Sequence, residues 1–302
     1  MTLSTDREVA TSTDREVATG TDREVATSTH RQVASDTEEV LDFLDGRPLV
    51  ALTGAGLSTD SGIPDYRGPG APVRMPMTYQ EFVAGPGQQQ RYWARSHLGW
   101  ARMGHAEPNA GHRALARLDP ELLITQNVDG LHEAAGSRQL VALHGRVSEV
   151  VCLGCRRVTP RAALQERLAH LNAGWLAEHA AAAMRPDGDV ELEQTDGFVV
   201  PGCAECEGPL KPHVVFFGEN VPAERVARCY AAVDALGSAG ALLVAGSSLT
   251  VMSGLRFVKR AARAGTPVVI VNRGTTRGDE HATYRLGTGC SEFLTALAAG
   301  RG

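Results

Sequence analysis

Two cysteine pairs carry the clearest chemistry in the sequence. Each has the spacing Cys-x-x-Cys, and together they supply the four thiols of Cys152, Cys155, Cys203 and Cys206. Four thiolates in two such pairs are the typical ligand set of a tetrahedral zinc ion. Disulfides are the competing interpretation, but nothing marks the chain as secreted, and redox catalysis would need only one pair. The spacing favours one structural zinc ion without an open coordination position, with Cys229 and Cys290 outside the site.

A glycine-rich turn is the second candidate site. Residues 49–52 are an apolar run typical of a short strand, and Gly54 and Gly56 then allow a sharp turn and a close approach to a ligand. Ser58 is predicted to open a helix, whose free N–H groups suit a pyrophosphate. The dehydrogenase fingerprint needs a third Gly or Ala where Thr59 stands and an acid at the end of the next strand, and neither is found. For the glycines alone, a plain strand-to-helix turn is the alternative.

Polar side chains follow two further apolar runs. Residues 121–125 precede Gln126, Asn127 and Asp129, and doubly wound sheets bind ligands at such strand ends. A turn rich in Asn and Asp is, however, commonly only a turn. His144 follows the apolar run 140–143 and precedes a glycine. A histidine pKa of about 6.5 suits a general base, although a lone histidine is more often structural.

An α/β fold would position all of these residues. Runs 241–245 and 267–271 end in the small polar segments Gly246-Ser247-Ser248 and Asn272-Arg273-Gly274, which repeats the pattern seen after residues 52 and 125. The repetition indicates a doubly wound, Rossmann-like parallel sheet with hydrogen-bonding groups along one edge, although plain turns are again the alternative. On propensity, residues 214–217 are predicted to form another buried strand.

These motifs resemble those of the sirtuins, the NAD-dependent protein-lysine deacylases. The run 54–67, the segment Thr-Gln-Asn-Val-Asp at 125–129, the tripeptide Leu-His-Gly at 143–145, the cysteine pairs and the run 210–219 occur in the family's order. The resemblance covers residues 37–298, and details such as the segment 90–95 look most like the class II branch. It implies a doubly wound NAD domain with an inserted small zinc-ribbon and helical subdomain.

The resemblance also implies roles for individual residues. His144 and Asn127 are the implied catalytic residues, and the paired cysteines hold one structural zinc ion. NAD is the implied co-substrate, and its implied binding residues are Gly54, Ala55, Gly56, Asp65, Tyr66, Arg67, Gln126, Asn127, Val128, Asp129, Gly246, Ser247, Ser248, Asn272, Arg273, Gly274 and Cys290. The implied partner is an acylated-lysine protein or peptide, whose backbone pairs with the chain at the end of run 210–219 by β-augmentation.

In the implied reaction, the acyl-lysine oxygen attacks the nicotinamide ribose carbon as nicotinamide leaves. His144 then deprotonates a ribose hydroxyl, which attacks the imidate carbon and gives free lysine and O-acyl-ADP-ribose. Two other functions stay open. Protein mono-ADP-ribosyl transfer uses the same cofactor with another nucleophile, and a non-catalytic NAD-sensing module would not need the intact His144 and Asn127.

The acyl group is a separate question. Sirtuins that remove succinyl or malonyl groups carry a Tyr-x-x-Arg pair that binds the acyl carboxylate. Tyr92 and Arg95 have this spacing, but counting back from Glu107 places the pair's positions at Ser96 and Gly99. A carboxylate buried in an apolar pocket without a cation costs several kcal/mol. We therefore expect neutral acyl groups to be preferred over succinyl.

The composition of the chain excludes some classes of function. The chain has 302 residues, 43% of them hydrophobic, a net charge of −5 and a pI of about 6.1, which argues against direct nucleic-acid binding. No apolar run approaches the roughly 20 residues that span a bilayer. Residues 4–35 repeat an eight-residue unit whose valines form no helical stripe, so this tail is predicted to be disordered. It lacks signal-peptide and transit-peptide features, which favours the cytoplasm. A mis-assigned start codon is an alternative origin of the tail.

The expected organisation is therefore a tail at residues 1–36 and one catalytic domain at residues 37–298. Its large NAD-binding part is expected at about 37–67, 108–147 and 212–298. Its small part is expected at about 68–107 and 148–211.

Overall fold

The computed structural model describes residues 36–65, 76–103, 106–179 and 195–301. Residues 1–35 of the predicted tail, Tyr66 and Arg67 lie outside these ranges. The described helices are α1 (Thr37–Leu44), α2 (Tyr79–Val83), α3 (Pro86–Met103), α4 (Ala110–Leu118), α5 (Leu131–Ala134), α6 (Arg161–Leu171), α7 (Ala173–His179), α8 (Ala223–Leu236), α9 (Met252–Arg263) and α10 (Cys290–Gly300). The described strands are β1 (Leu49–Thr53), β2 (Leu122–Thr125), β3 (Leu140–Ala142), β4 (Gly145–Cys152), β5 (Val158–Pro160), β6 (Leu210–Val214), β7 (Ala241–Ala245), β8 (Val268–Val271) and β9 (Tyr284–Leu286).

Six strands form a parallel sheet in the order β3-β2-β1-β7-β8-β9. The strand that follows β1 in the chain lies on one side of the central pair, and the strand that follows β7 lies on the other. The direction of winding therefore reverses between β1 and β7, which confirms the predicted doubly wound α/β fold. Ligands of such folds bind at this reversal, outside the carboxyl ends of the strands.

Both faces of the sheet are covered by helices. Leu49 and Ala51 face the core that α1, α4 and α10 complete, whereas Val50 and Leu52 face the core that α8 and α9 complete. The four central strands are buried at every position, which explains their continuous apolar sequence. Within the described residues, no helix has both the length and the apolar character that crossing a bilayer requires.

A second, antiparallel sheet has the order β5-β4-β6 and packs with α3 and α6 around a core of its own. At its centre Arg161 is fully buried, and its guanidinium donates to Ser96 Oγ (3.1 Å) and Gln165 Oε1 (2.8 Å). The same group lies 4.5 Å from the ring centroid of Trp93, whose Nε1 donates to Leu210 O (2.8 Å). These contacts tie α3, α6 and β6 into one packed unit.

Two expectations about local structure were wrong. Ser58 does not open an α-helix but lies between two single 3₁₀ turns, 55–57 and 59–61. Gly62 then adopts a left-handed conformation, and Pro64 has no N–H with which to continue a helix. The strand predicted over 214–217 stops at Val214, because the N–H of Phe216 donates to the carboxylate of Glu219 (2.7 Å) instead of to a neighbouring strand.

Candidate active site

The turns after β1 and β7 cross in direct contact. The N–H of Gly54 donates to Ala245 O (3.2 Å), and that of Gly56 donates to Gly246 O (2.9 Å). Gly246 has a φ of 67°, and a Cβ at this residue would lie 2.3 Å from Leu57 N. Glycine is therefore required at the crossing. The crossing fixes the two glycine turns together at the reversal of the sheet.

A cleft of about 710 Å³ opens at this edge. It is lined by all the described residues of the predicted cofactor set except one: Gly54, Ala55, Gly56, Asp65, Gln126, Asn127, Val128, Asp129, Gly246, Ser247, Ser248, Asn272, Arg273 and Gly274. The exception is Cys290, which is buried in the core, where its thiol donates to Val271 O (3.5 Å). Tyr66 and Arg67 lie outside the described residues.

Ser58 joins the two polar side chains that follow β2. Its hydroxyl donates to Asp129 Oδ2 (2.7 Å) and accepts from Asn127 Nδ2 (3.0 Å), which also donates to Gly54 O (3.1 Å). Burial raises the pKa of Asp129, whereas the hydrogen bonds from Leu131 N and Ser58 oppose this shift. Sequence reasoning treated Ser58 as a helix start and missed this role.

His144 lies at the wall of the same cleft. Its Nδ1 is 2.9 Å from Gln126 O, and because a carbonyl only accepts, Nδ1 carries the proton. Its Nε2 then accepts from the hydroxyl of Ser253 at 2.8 Å. Burial lowers the pKa of His144, Arg225 adds to this effect, and the Gln126 carbonyl opposes it. The imidazole is therefore a neutral acceptor at neutral pH.

A buried histidine, His132, is connected by hydrogen bonds to the residues that follow β2. His132 Nε2 lies 2.9 Å from Thr53 Oγ1, which donates to Thr125 Oγ1 (3.0 Å). The same Thr125 oxygen accepts from Asn127 N (3.1 Å). Burial lowers the pKa of His132 to about 3 and that of His112, which packs against it, to about 4. Both histidines are therefore neutral parts of the scaffold at pH 7.

The side chains of the four paired cysteines lie close together. Their sulfurs all lie within 4.8 Å of one another, with Cys152 Sγ 3.5 Å from Cys206 Sγ and Cys155 Sγ 3.8 Å from Cys203 Sγ. The two turns have the same geometry, because the residue after each pair has a positive φ and donates to the carbonyl of the pair's first cysteine. The antiparallel sheet thus presents two matched cysteine turns to a common centre.

The segment after β6 runs beside His144. Gly145 pairs with Val214, and the N–H of Val215 donates to His144 O (2.8 Å). Lys211, which is 3% exposed, holds this segment because its Nζ lies 2.8 Å from Glu219 Oε2 and donates to Val214 O. The side chain of Phe217 is 44% exposed. This segment therefore forms the edge of the cleft.

The Sir2 family model matches residues 54–253, which include most residues of the cleft, His144 and all four clustered cysteines. The chain belongs to the Sir2 family. This Sir2 protein is 52% identical over 267 residues to "NAD-dependent protein deacetylase 1" of Mycobacterium avium, a match that covers 86% of this chain and 94% of the relative. It is 54% identical over 267 residues to the protein of the same name from Streptomyces coelicolor, covering 86% and 88% of the two chains.

A solved structure, "Sir2-p53 peptide-NAD+", has the same fold. The TM-score is 0.69 at 31% sequence identity, and the match covers 87% of this Sir2 chain and 97% of the other. The family resemblance that the motifs indicated is thus confirmed, together with the fold that it implied.

The cleft of this Sir2 protein fits NAD. Its volume lies within the range of about 300–1,000 Å³ typical of small-molecule pockets. The N–H groups of Gly54 and Gly56 are bonded to Ala245 O and Gly246 O, so these glycines bring the two turns together at the cleft and do not donate to a pyrophosphate. Amide, carboxylate and hydroxyl groups suited to ribose hydroxyls are those of Asn127, Asp129, Ser248 and Asn272.

The cysteine cluster of this Sir2 protein fits zinc. Four sulfurs held tetrahedrally at about 2.3 Å from a zinc ion lie about 3.8 Å apart, and the two sulfur–sulfur distances given above are close to this value. Because all four donors are cysteines, the ion has no open position and its role is structural.

Proposed function

We propose that this Sir2 protein is an NAD-dependent protein-lysine deacetylase that gives nicotinamide, O-acyl-ADP-ribose and free lysine. The proposal rests on His144, a neutral imidazole whose Nε2 accepts a hydrogen bond at the wall of the cleft that Asn127 and Asp129 also line. The named relatives in Mycobacterium avium and Streptomyces coelicolor support this activity.

The residues of the cleft have separate roles in the proposed reaction. NAD supplies a ribose carbon that loses nicotinamide readily when it is attacked. Asn127 and Asp129, fixed by Ser58, orient the nicotinamide and its ribose. His144 Nε2 takes the proton of a ribose hydroxyl, and the Nδ1–H bond to Gln126 O stabilises the imidazolium that forms. Preorganised positioning supplies much of the rate.

The reaction can be tested with NAD and one acetylated peptide. We expect nicotinamide release together with loss of the acetyl mass from the peptide. A gain of the ADP-ribosyl mass on a protein target, without loss of acetyl, would indicate ADP-ribosyl transfer instead. Absence of nicotinamide release would indicate a binding module. NADH should not form, because the site lacks the dehydrogenase fingerprint.

We further propose that the segment after β6 pairs with the backbone of the acyl-lysine peptide. Support comes from its position beside His144, its end of regular pairing at Val214 and the exposed side chain of Phe217. β-Augmentation of this kind obtains its affinity from the main chain and little sequence specificity from side chains. The solved Sir2 structure with a p53 peptide is consistent with such a partner.

The substitution Lys211→Met tests whether Lys211 holds the segment after β6 in place. The substitution leaves Glu219 without its buried cation, and we expect the free energy of unfolding to fall by about 2–3 kcal/mol. We also expect KM for the peptide to rise more than kcat falls, because the segment after β6 loses its anchor. Urea denaturation and steady-state kinetics measure the two effects.

The chain offers a matched control for this substitution. Lys259 is the only other lysine of the sequence, and we expect Lys259→Met to change stability by less than about 0.5 kcal/mol. Adding Glu219→Gln to Lys211→Met should recover part of the lost stability, since no buried charge then remains unpaired. Equal effects of the two lysine substitutions would contradict the proposed anchor.

Acyl selectivity is the third property open to test. Tyr92 packs against the rings of Phe82 (centroids 5.5 Å apart) and Phe216 (5.3 Å apart), and Phe216 lines the cleft. We expect kcat/KM on one peptide to be higher for acetyl- or lipoyl-lysine than for succinyl-lysine, because this aromatic wall favours neutral groups. A succinyl preference that disappears in Arg95→Met would show that the Tyr92–Arg95 pair binds the acyl carboxylate.

A further inference from the structure

The Nε2 atom of His144 has a partner that belongs to neither the predicted site nor the substrate. Ser253 Oγ lies 2.8 Å from it, and Ser253 is 8% exposed at the second position of α9. Because Nδ1 carries the ring proton, Nε2 is the acceptor and the serine hydroxyl must be the donor. Ser253 therefore occupies the lone pair with which the imidazole accepts a proton.

The first turn of α9 is fitted closely against the residue that follows β2. A Cβ at Gly254 would lie 2.7 Å from Gln126 Nε2, so a larger residue here would displace the Gln126 side chain. The other side of the Gln126 amide is held by Ser247, whose hydroxyl donates to Gln126 Oε1 (2.6 Å). The backbone of Gln126 in turn accepts from His144 Nδ1. Gln126 thus contacts both α9 and the imidazole and sets the spacing between them. Ser253 is thereby held within hydrogen-bonding distance of His144 Nε2.

We propose that Ser253 is a positioning residue for His144, a role that rests on the proposed function of His144 as the base. Its hydroxyl donates to Nε2 and, together with Gln126 O on the other nitrogen, holds the ring in one orientation and in the Nδ1–H tautomer. The bond favours the neutral imidazole over the imidazolium. The ribose hydroxyl replaces Ser253 at Nε2 before its proton is transferred.

Charged groups near the imidazole must also be considered when the titration of His144 is interpreted. Arg225 on α8 disfavours the imidazolium, and burial acts in the same direction. Other charged side chains line the same cleft: Asp65, Asp129, Glu219, Arg256 and Arg273. Since Ser253→Ala changes none of these charges, a change in the titration of His144 reports the lost hydrogen bond.

The first test follows His144 by NMR in the ligand-free protein. The histidine signal absent from His144→Asn is assigned to His144, and its titration midpoint is compared between wild type and Ser253→Ala. We expect the midpoint to rise by about 0.5–1 pH unit, because the lost bond stabilised the neutral ring. Ser253→Thr keeps the hydroxyl and should keep the wild-type midpoint. Ser291→Ala, at the same position of α10, is the matched control and should not move it.

The second test measures the pH dependence of deacetylation. In Ser253→Ala we expect the acid limb of kcat/KM to move upward by the same amount, and kcat at pH 8.5 to fall less than about 10-fold. An unmoved NMR midpoint overturns the proposal. If the midpoint is unmoved and kcat also falls by more than about 100-fold, Ser253 relays the proton instead of positioning the ring. A wild-type protein without deacetylase activity refutes the proposed function, whereas the NMR midpoint still reports on Ser253.

Discussion

His144→Ala is expected to lower deacetylation by at least about 100-fold, the lower end of the contribution of a general base. Binding of NAD should survive, because the glycine turns and the Asn127–Ser58–Asp129 contacts do not depend on the imidazole. The measurements are kcat on an acetylated peptide and the rise in Tm that NAD produces.

The control for this result is His170→Ala, which removes an exposed imidazole from α6 and should leave kcat unchanged. Retention of more than a few per cent of wild-type turnover in His144→Ala would show that another group is the base. The pH profile adds an independent check. Burial lowers the pKa of His144, and the neutral form is the active one, so kcat/KM should begin to fall only below about pH 6.5.

Removal of the zinc ligands is expected to have the second large effect. Cys155→Ala or Cys206→Ala should abolish the binding of about one zinc ion per chain and unfold the antiparallel sheet, because structural zinc contributes folding free energy directly. Two matched cysteine turns converge on the ion, and each has a non-glycine residue with a positive φ after it, at Arg156 and Glu207. Without the metal, each turn keeps its own backbone hydrogen bond, but the link between the two turns is lost.

Metal content and thermal unfolding measure this prediction. Cys229→Ala is the matched control: the thiol is buried in the core beside the parallel sheet, so its loss should cost some stability but leave the metal content at one per chain. A metal-free protein with the thermal stability of the wild type would refute a structural role for zinc.

The parts of the site that sequence alone predicted are local. Each cysteine pair is contained in four residues, and the polar residues after β1, β2 and β7 follow apolar runs that only a buried parallel strand explains. The carboxyl ends of parallel strands meet at one edge, so the cleft followed from the fold.

The residues that sequence reasoning missed depend on contacts between distant segments. Ser58 acts through Asn127, which lies 69 positions away, and Ser253 acts through His144 at a distance of 109 positions. Arg161 is buried against Ser96 across 65 positions, although arginine is rarely a buried residue. Composition and periodicity describe neighbours along the chain, so they contain no signal for such pairs. The strand expected over 214–217 ended for a different reason, a local bond from Phe216 N to Glu219 that strand propensity does not describe.

The crossing of Gly54 with Gly246 has a consequence for biosynthesis. β1 leaves the ribosome early and β7 late, so the two turns cannot meet until most of the chain has been made. Until then the apolar edge of β1 that β7 will cover has no partner, and such edges favour association with other nascent chains. A chain truncated before Ala241 lacks the cleft residues that follow β7, so we expect it to gain no stability from NAD, whereas NAD binding to the complete cleft should stabilise both halves together by mass action.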